Sequence, residues 1–281
     1  MPVAQVRDID IYYETAAGHA SDCVDLLFIS GTGGDLRNKP NQFDSPLKQN
    51  FNLLSYDQRG LGQSAKPDGA YSMADYADDA AALMDVLGFS SMAVMGVSFG
   101  GMVAQELALR HPNKVSSLVL ACTSSGGLGG ASYPLHELHE HFHDDPEGLL
   151  QANLQLADNR RTDAWVERHP EQWARLLELS RTARRPLSTD EDRQGAWRQL
   201  QARKGHNTWD RLDQIRVPTL IAAGEFDDIA PVANQHALHA QIPDSELLFF
   251  AGGHLFLVQD KTAYPTISQW LLDKQTVASN V

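Results

Sequence analysis

The chain has 281 residues, enough for one large α/β domain or two ordinary ones, and its 42% hydrophobic content suits a globular protein with a sizeable core. Its 36 acidic against 23 basic side chains leave a formal charge of -13, which opposes binding to nucleic acid or an anionic membrane and makes a small, weakly charged molecule the expected partner. Cys23 and Cys122 are too few for a disulfide scaffold and suit a reducing compartment. Met1 leads into no secretory pattern, and no apolar run approaches the roughly 20 residues of a membrane span. The expected location is cytoplasmic, and a homo-oligomer is left open.

Val3 to Thr15 alternates as two antiparallel strands meeting at Asp8-Ile9-Asp10. A third strand, Asp25 to Ile29, runs into the glycine-rich Ser30-Gly31-Thr32-Gly33-Gly34, and a fourth covers Asn52 to Tyr56. Ser72 to Leu87 predicts a helix with Ser72 as its cap, Asp75 in its first turn, one face of Ala77, Ala80, Leu83, Met84 and Leu87, and Gly88 as its stop. Ser91 to Met95 reads as a strand buried on both faces, and the helix from Gly101 to Arg110 ends at His111-Pro112. Further strands are expected at Val115 to Ala121, Pro218 to Ala223 and Leu247 to Phe250. Strands alternating with helices predict an α/β fold with a mostly parallel sheet covered on both faces. Residues 123–208 hold helical stretches and no convincing strand, so they are read as a helical cap inserted between two core segments, 1–122 and 209–281, over the carboxyl ends of the strands.

Between the buried strand and its helix lies Gly96-Val97-Ser98-Phe99-Gly100. The pattern reads as a nucleophile elbow, a sharp strand-to-helix turn that exposes Ser98 and leaves no room for side chains at Gly96 and Gly100. Such a pentapeptide arises by chance, and its strand-turn-helix setting is what gives it weight. A serine hydroxyl needs a base to take its proton, and the base needs a carboxylate to hold its tautomer. Gly252-Gly253-His254 follows the last predicted strand, and Gly224-Glu225-Phe226-Asp227-Asp228 follows the one before it.

With these residues in hand, the chain resembles the α/β-hydrolase superfamily, of the esterase, lactonase and cofactor-free haloperoxidase type. The resemblance covers roughly residues 10–122 and 206–275. It is carried by Tyr56-Asp57-Gln58-Arg59-Gly60-Leu61-Gly62-Gln63-Ser64, the elbow with Gly101, Arg216-Val217-Pro218-Thr219-Leu220 leading to Gly224, and Gly253-His254. It implies an α/β-hydrolase fold and a catalytic triad of Ser98, Asp227 and His254, the acid chosen because it stands three positions after the strand-end glycine, with Asp228 and Glu225 as alternatives. The backbone amides of Phe99 and of Thr32, with Gly33 as the alternative to Thr32, would form the oxyanion hole, although Ser30 stands where similar proteins carry histidine. The expected reaction is cleavage of a small carboxylic ester or lactone through an acyl-enzyme on Ser98, without cofactor or metal.

Carbon-carbon bond hydrolases, whose usual asparagine before the serine is Val97 here, and haloperoxidases or perhydrolases are the alternatives. A ligand receptor that keeps a hydrolase pocket is the alternative from another class. Phe99, Phe142, Trp165, Trp173 and Trp197 are candidates to line a mainly apolar pocket, packing being the competing role. Asp57 and Arg59 are expected to form a structural ion pair, and His111, His206 and His236 to be plain structural histidines. Finally, His139-Glu140-His141-Phe142-His143 matches a zinc-protease pattern if one helix runs between Pro134 and Pro146. The match comes cheaply in a histidine-rich stretch, and no catalytic zinc is expected.

Overall fold

The computed structural model describes residues 2–183 and 185–278. Its strands are β1 (Val3–Val6), β2 (Ile9–Ala16), β3 (Val24–Ile29), β4 (Phe51–Tyr56), β5 (Met92–Val97), β6 (Val115–Ala121), β7 (Thr219–Gly224) and β8 (Glu246–Phe250). The helices are α1 (Met73–Val86), α2 (Phe99–Arg110), α3 (Leu135–His141), α4 (Pro146–Leu156), α5 (Asp163–Arg168), α6 (Pro170–Thr182), α7 (Asp190–Lys204), α8 (Val232–Gln241), α9 (Phe256–Gln259) and α10 (Ala263–Ala278).

The eight strands form one sheet in the order β1-β2-β4-β3-β5-β6-β7-β8. β1 and β2 are antiparallel additions at one edge, and β4, β3, β5, β6, β7 and β8 run parallel. Buried strands alternate their side chains between two helix layers. On β5, Val94 joins the cluster with Tyr76 of α1 and Val103 of α2, while Ala93 and Met95 join the cluster with Ile267 and Leu271 of α10. The chain leaves β3 toward β4 on one side and returns to β5 on the other. The carboxyl ends of β3 and β5 therefore flank the switch point where open α/β sheets bind ligands.

Local signals explain most boundaries. Ser72 and Asp75 form a reciprocal capping box at the start of α1, and Gly88 leaves it at φ +82°. The first hairpin turns one residue earlier than the alternation suggests. Arg7 takes φ +53°, and Ile9 and Asp10 already belong to β2, where Ile9 pairs with Val6 and is buried.

The elbow is tight enough to need its glycines. A Cβ at Gly100 would strike the carbonyl oxygen of Ile29, one at Gly96 would strike that of Gly100, and one at Gly101 would lie 2.6 Å from the Thr123 Cβ. Gly100→Ala should therefore lower the urea-unfolding free energy by about 3 kcal/mol, since the obstacle is backbone of a central strand and cannot swing aside.

Between β6 and β7 the chain forms α3 to α7 and no strand among the described residues. This stretch has small apolar clusters of its own, Leu135 with Leu138 and Leu200, and Leu154 with Trp173 and Leu177. It also bonds to the loops at the strand ends: His254 N–H donates to Ala157 O at 2.6 Å, Asn159 N–H to Phe226 O at 2.9 Å, and Asp228 N–H to Leu156 O at 3.1 Å. No described helix is long and apolar enough to cross a membrane.

Candidate active site

Ser98 caps the amino terminus of α2 at φ 55°, ψ -116°, a backbone region that non-glycine residues occupy only when their surroundings force them. The strain has a use: it lifts the side chain off the end of β5 toward the loops after β7 and β8. Ser98 Oγ lies 2.9 Å from His254 Nε2, and His254 Nδ1 lies 2.7 Å from Asp227 Oδ2. The other Asp227 oxygen accepts the amides of Ile229 (2.8 Å) and Ala230 (3.0 Å), which fixes the plane of the carboxylate. Asp227 is 2% exposed and Ser98 8%.

The alternative acids point elsewhere. Asp228 accepts from the side-chain amide of Asn159 at 2.9 Å, and Glu225 is exposed. Cys122, buried and at φ +42°, contributes its sulfur to the same group as Asp227 and His254. Burial, with the Asp227 charge beside it, pushes that thiol well up, so it stays neutral under the relay. These three are the only group of histidine, cysteine and acidic side chains among the described residues close enough to hold a metal. His254 Nδ1 is already joined to Asp227 Oδ2, and His254 Nε2 to Ser98 Oγ.

The loop after β3 comes up against the elbow. A Cβ on Gly31 would lie 3.4 Å from the Ser98 Cβ. Gly33 N–H is taken, donating to Gln199 Oε1 at 2.9 Å. Among the described residues, neither the Thr32 nor the Phe99 amide donates to any protein group. Two amides are thus left without a protein partner: that of Phe99, at the amino-terminal end of α2 where the helix dipole favours negative charge, and that of Thr32, on the loop that lines the same cleft as Ser98.

Ser98 and His254 open onto a cleft of about 770 Å³. Its walls are the loop after β3 (Asn38, Asn41, Asp44, Pro46), the segment from α9 into α10 (Leu257, Val258, Lys261, Tyr264), and Leu135 and Ile229. None of the five aromatic candidates lines it. The Phe99 ring is fully buried edge-on to Tyr76, 4.9 Å between centroids, so the residue offers the site its amide and not its ring. Phe142 packs on Leu135 and Leu138, Trp165 and Trp173 pack with Leu154 and Leu177, and Trp197 stands 37% exposed. The residues that do line the cleft come mostly from loops, which carry no periodic pattern in the sequence. One signal was available in the 21-residue stretch between β3 and β4, longer than connections without strands or α-helices usually are.

The ion pair expected in the loop after β4 does not form. Asp57 and Arg59 do not pair with each other. Asp57 accepts the amides of Leu36 (2.7 Å) and Gln63 (2.8 Å), while Arg59 makes a two-pronged buried pair with Asp79 at 2.6 and 2.9 Å, tying the loop after β4 to α1. The zinc-protease pattern lacks its helix as well. α3 ends at His141, Pro146 begins α4, and His143 leaves the face that carries His139 and lies 2.7 Å from Asp144.

Of the remaining histidines, His111 bonds Asp78 at 2.8 Å and His236 lies against Phe249. His206 is buried and bonds the Ser124 carbonyl at 3.1 Å, and burial pushes its imidazole down to about 4. The unfolded chain binds that proton below about 6.5 and the folded protein only below about 4, so stability drains away as pH falls between those values. Asp57, raised to about 6 by burial, works in the opposite sense, because the folded state takes up its proton first. The His206 contribution is isolated by comparison with His206→Gln. Relative to pH 8, wild type should lose about 2 kcal/mol more than the variant at pH 5, read from urea unfolding.

The strand order, the strained serine at the end of β5 and the helix behind it define an α/β-hydrolase fold. The family model for the alpha/beta hydrolase fold matches residues 26–261, and the chain belongs to that family. A poly(3-hydroxyalkanoate) depolymerase of Ectopseudomonas oleovorans is 27% identical over 252 residues, which cover 89% of this chain and 84% of the relative. A putative carbamate hydrolase, RutD, of Klebsiella variicola (strain At-22) is 30% identical over 230 residues, 79% of this chain and 81% of the relative. Among solved structures, the enol-lactonase from Burkholderia xenovorans LB400 superposes with a TM-score of 0.74 at 22% identity, over 98% of this chain and 100% of that one, which shows the shared fold. Est816, described as an N-acyl homoserine lactone degrading enzyme, is 26% identical with a TM-score of 0.66, over 97% of this chain and 99% of that one. Hydrolase activity is what the family and its relatives' names support for this chain.

Proposed function

We propose that the protein is a serine hydrolase that cleaves small carboxylic esters, lactones among them, through an acyl-enzyme on Ser98. The observation that carries this reading is the unbroken line of hydrogen bonds from Ser98 Oγ through His254 to Asp227, with the unengaged amides of Phe99, next in the chain, and Thr32, on the same cleft. His254 Nε2 takes the Ser98 proton as the oxygen attacks the carbonyl carbon. Asp227 keeps the opposite ring nitrogen protonated and stabilises the imidazolium that forms. The tetrahedral oxyanion receives the Phe99 and Thr32 amides. His254 then returns the proton to the leaving alkoxide, and water, deprotonated by the same imidazole, releases the acid.

The cleft supports the substrate class. Its walls combine apolar side chains, Leu135, Ile229 and Leu257 among them, with polar ones, Asn38, Asn41 and Asp44. An acyl or alcohol group of modest size suits such a site. Two of the similar proteins' names point the same way, since a poly(3-hydroxyalkanoate) and an N-acyl homoserine lactone are both carboxylic esters, while the carbamate of a third offers a related carbonyl. The test is turnover of short 4-nitrophenyl esters and of simple lactones by the purified protein. Many turnovers per Ser98 are expected on at least one of them. Acylation that stops after a single turnover would favour a receptor that keeps a hydrolase pocket.

A further inference from the structure

We propose that Gln199 is a positioning residue for the oxyanion loop: its side-chain carbonyl binds the Gly33 amide from α7 and leaves the Thr32 amide as the loop's donor to the oxyanion. The inference rests on the reading of Ser98 as the nucleophile.

The loop has a weak point that calls for such a brace. Gly34 N–H donates to Gly31 O at 3.2 Å, closing a four-residue turn whose third residue, Gly33, sits at φ +70°. That is the signature of a type II turn, in which the Thr32–Gly33 peptide is turned over relative to type I. Glycine at the third position tolerates both arrangements, so the turn does not choose between them unaided. The 2.9 Å bond from Gly33 N–H to Gln199 Oε1 makes the choice. It also removes Gly33 from competition for the substrate oxygen.

Gln199 is placed to act as a fixed post. The residue is fully buried, and its Nε2 has no hydrogen-bond partner among the described residues. A leucine there would avoid the cost of burying that donor, so the polar side chain serves the loop and not the packing. One helical turn earlier, Gly195 packs so closely on Gly60 that a Cβ would strike the Gly60 carbonyl oxygen. Arg198 donates to Pro67 O at 2.8 Å and to Asp68 at 2.9 Å. The helix that carries the brace is therefore held at two points on the loop after β4.

The test compares Gln199→Met, which removes the accepting oxygen at nearly constant shape, with Gln199→Glu, which restores one, on 4-nitrophenyl butyrate. Gln199→Met should lose about ten- to a hundredfold in kcat with KM changed less than about threefold. A trifluoromethyl ketone, which must form an oxyanion on Ser98, should bind it more weakly by the same factor, and Gln199→Glu should recover most of the loss. Should Gln199→Met fail to fold, Gln199→Ser, too short to reach Gly33, replaces it with the same criteria. A kcat within about twofold of wild type, or an equal loss in the Met and Glu variants, overturns the proposal and leaves the Ser98 reading standing. Wild-type protein without Ser98-dependent ester turnover overturns both.

Discussion

Replacing Ser98 by alanine should lower kcat on an ester substrate by about 10⁶-fold, to the residual rate that binding and the oxyanion amides supply without a nucleophile. The size of the effect follows from the geometry. The hydroxyl is the group at the end of the relay, 2.9 Å from His254 Nε2, and the neighbouring thiol, Cys122, is fully buried and kept neutral. Stability should move little and in either direction by less than about 1 kcal/mol. Alanine inherits the same strained backbone at φ 55°, and the bond to His254 is the one hydrogen bond among the described residues that the hydroxyl gives up. Kinetics and urea unfolding of the same preparation check both halves. A large loss of stability would point to a structural role for the hydroxyl.

Asp227→Asn should cost about 10⁴-fold in kcat, with the fold again intact. The asparagine carbonyl can keep the Asp227 Oδ1 position, because Ile229 and Ala230 offer it two amides at 2.8 and 3.0 Å. Its NH₂ group then faces His254 Nδ1, where a carboxylate oxygen stood. Two donors cannot face each other, so the imidazole moves its proton to Nε2, the nitrogen that must accept the proton of Ser98. The base is present, well placed and in the wrong tautomer. Steady-state rates on the same ester, compared with Asp228→Asn, decide the matter. Asp228, which holds Asn159, should give up little activity.

The parts of the molecule legible in the sequence were those with a strong local pattern. The run from Ser91 to Met95, most of which lies in β5, the glycines around Ser98 and the capping pair Ser72 and Asp75 each state a local geometry that the surrounding fold keeps. The choice of Asp227 over Asp228 needed the resemblance to a family, since adjacent carboxylates differ only in which way the backbone turns them. The aromatic pocket failed for a different reason. The segment between β6 and β7 must bury its own apolar faces, and Trp173 and Phe142 are used in those small clusters. Gln199 gave no signal at all, because a glutamine in a polar helix says nothing about the loop it will meet 166 positions away.

Peptide mapping by mass spectrometry after treatment with a fluorophosphonate tests the central claim most directly, because the reagent reacts with a serine only where a base and an oxyanion hole have activated it. One adduct is expected, on Ser98, formed rapidly in wild type and at least about a thousandfold more slowly in His254→Ala. An unmodified Ser98, or an adduct at Ser98 that forms as fast without His254, would contradict it.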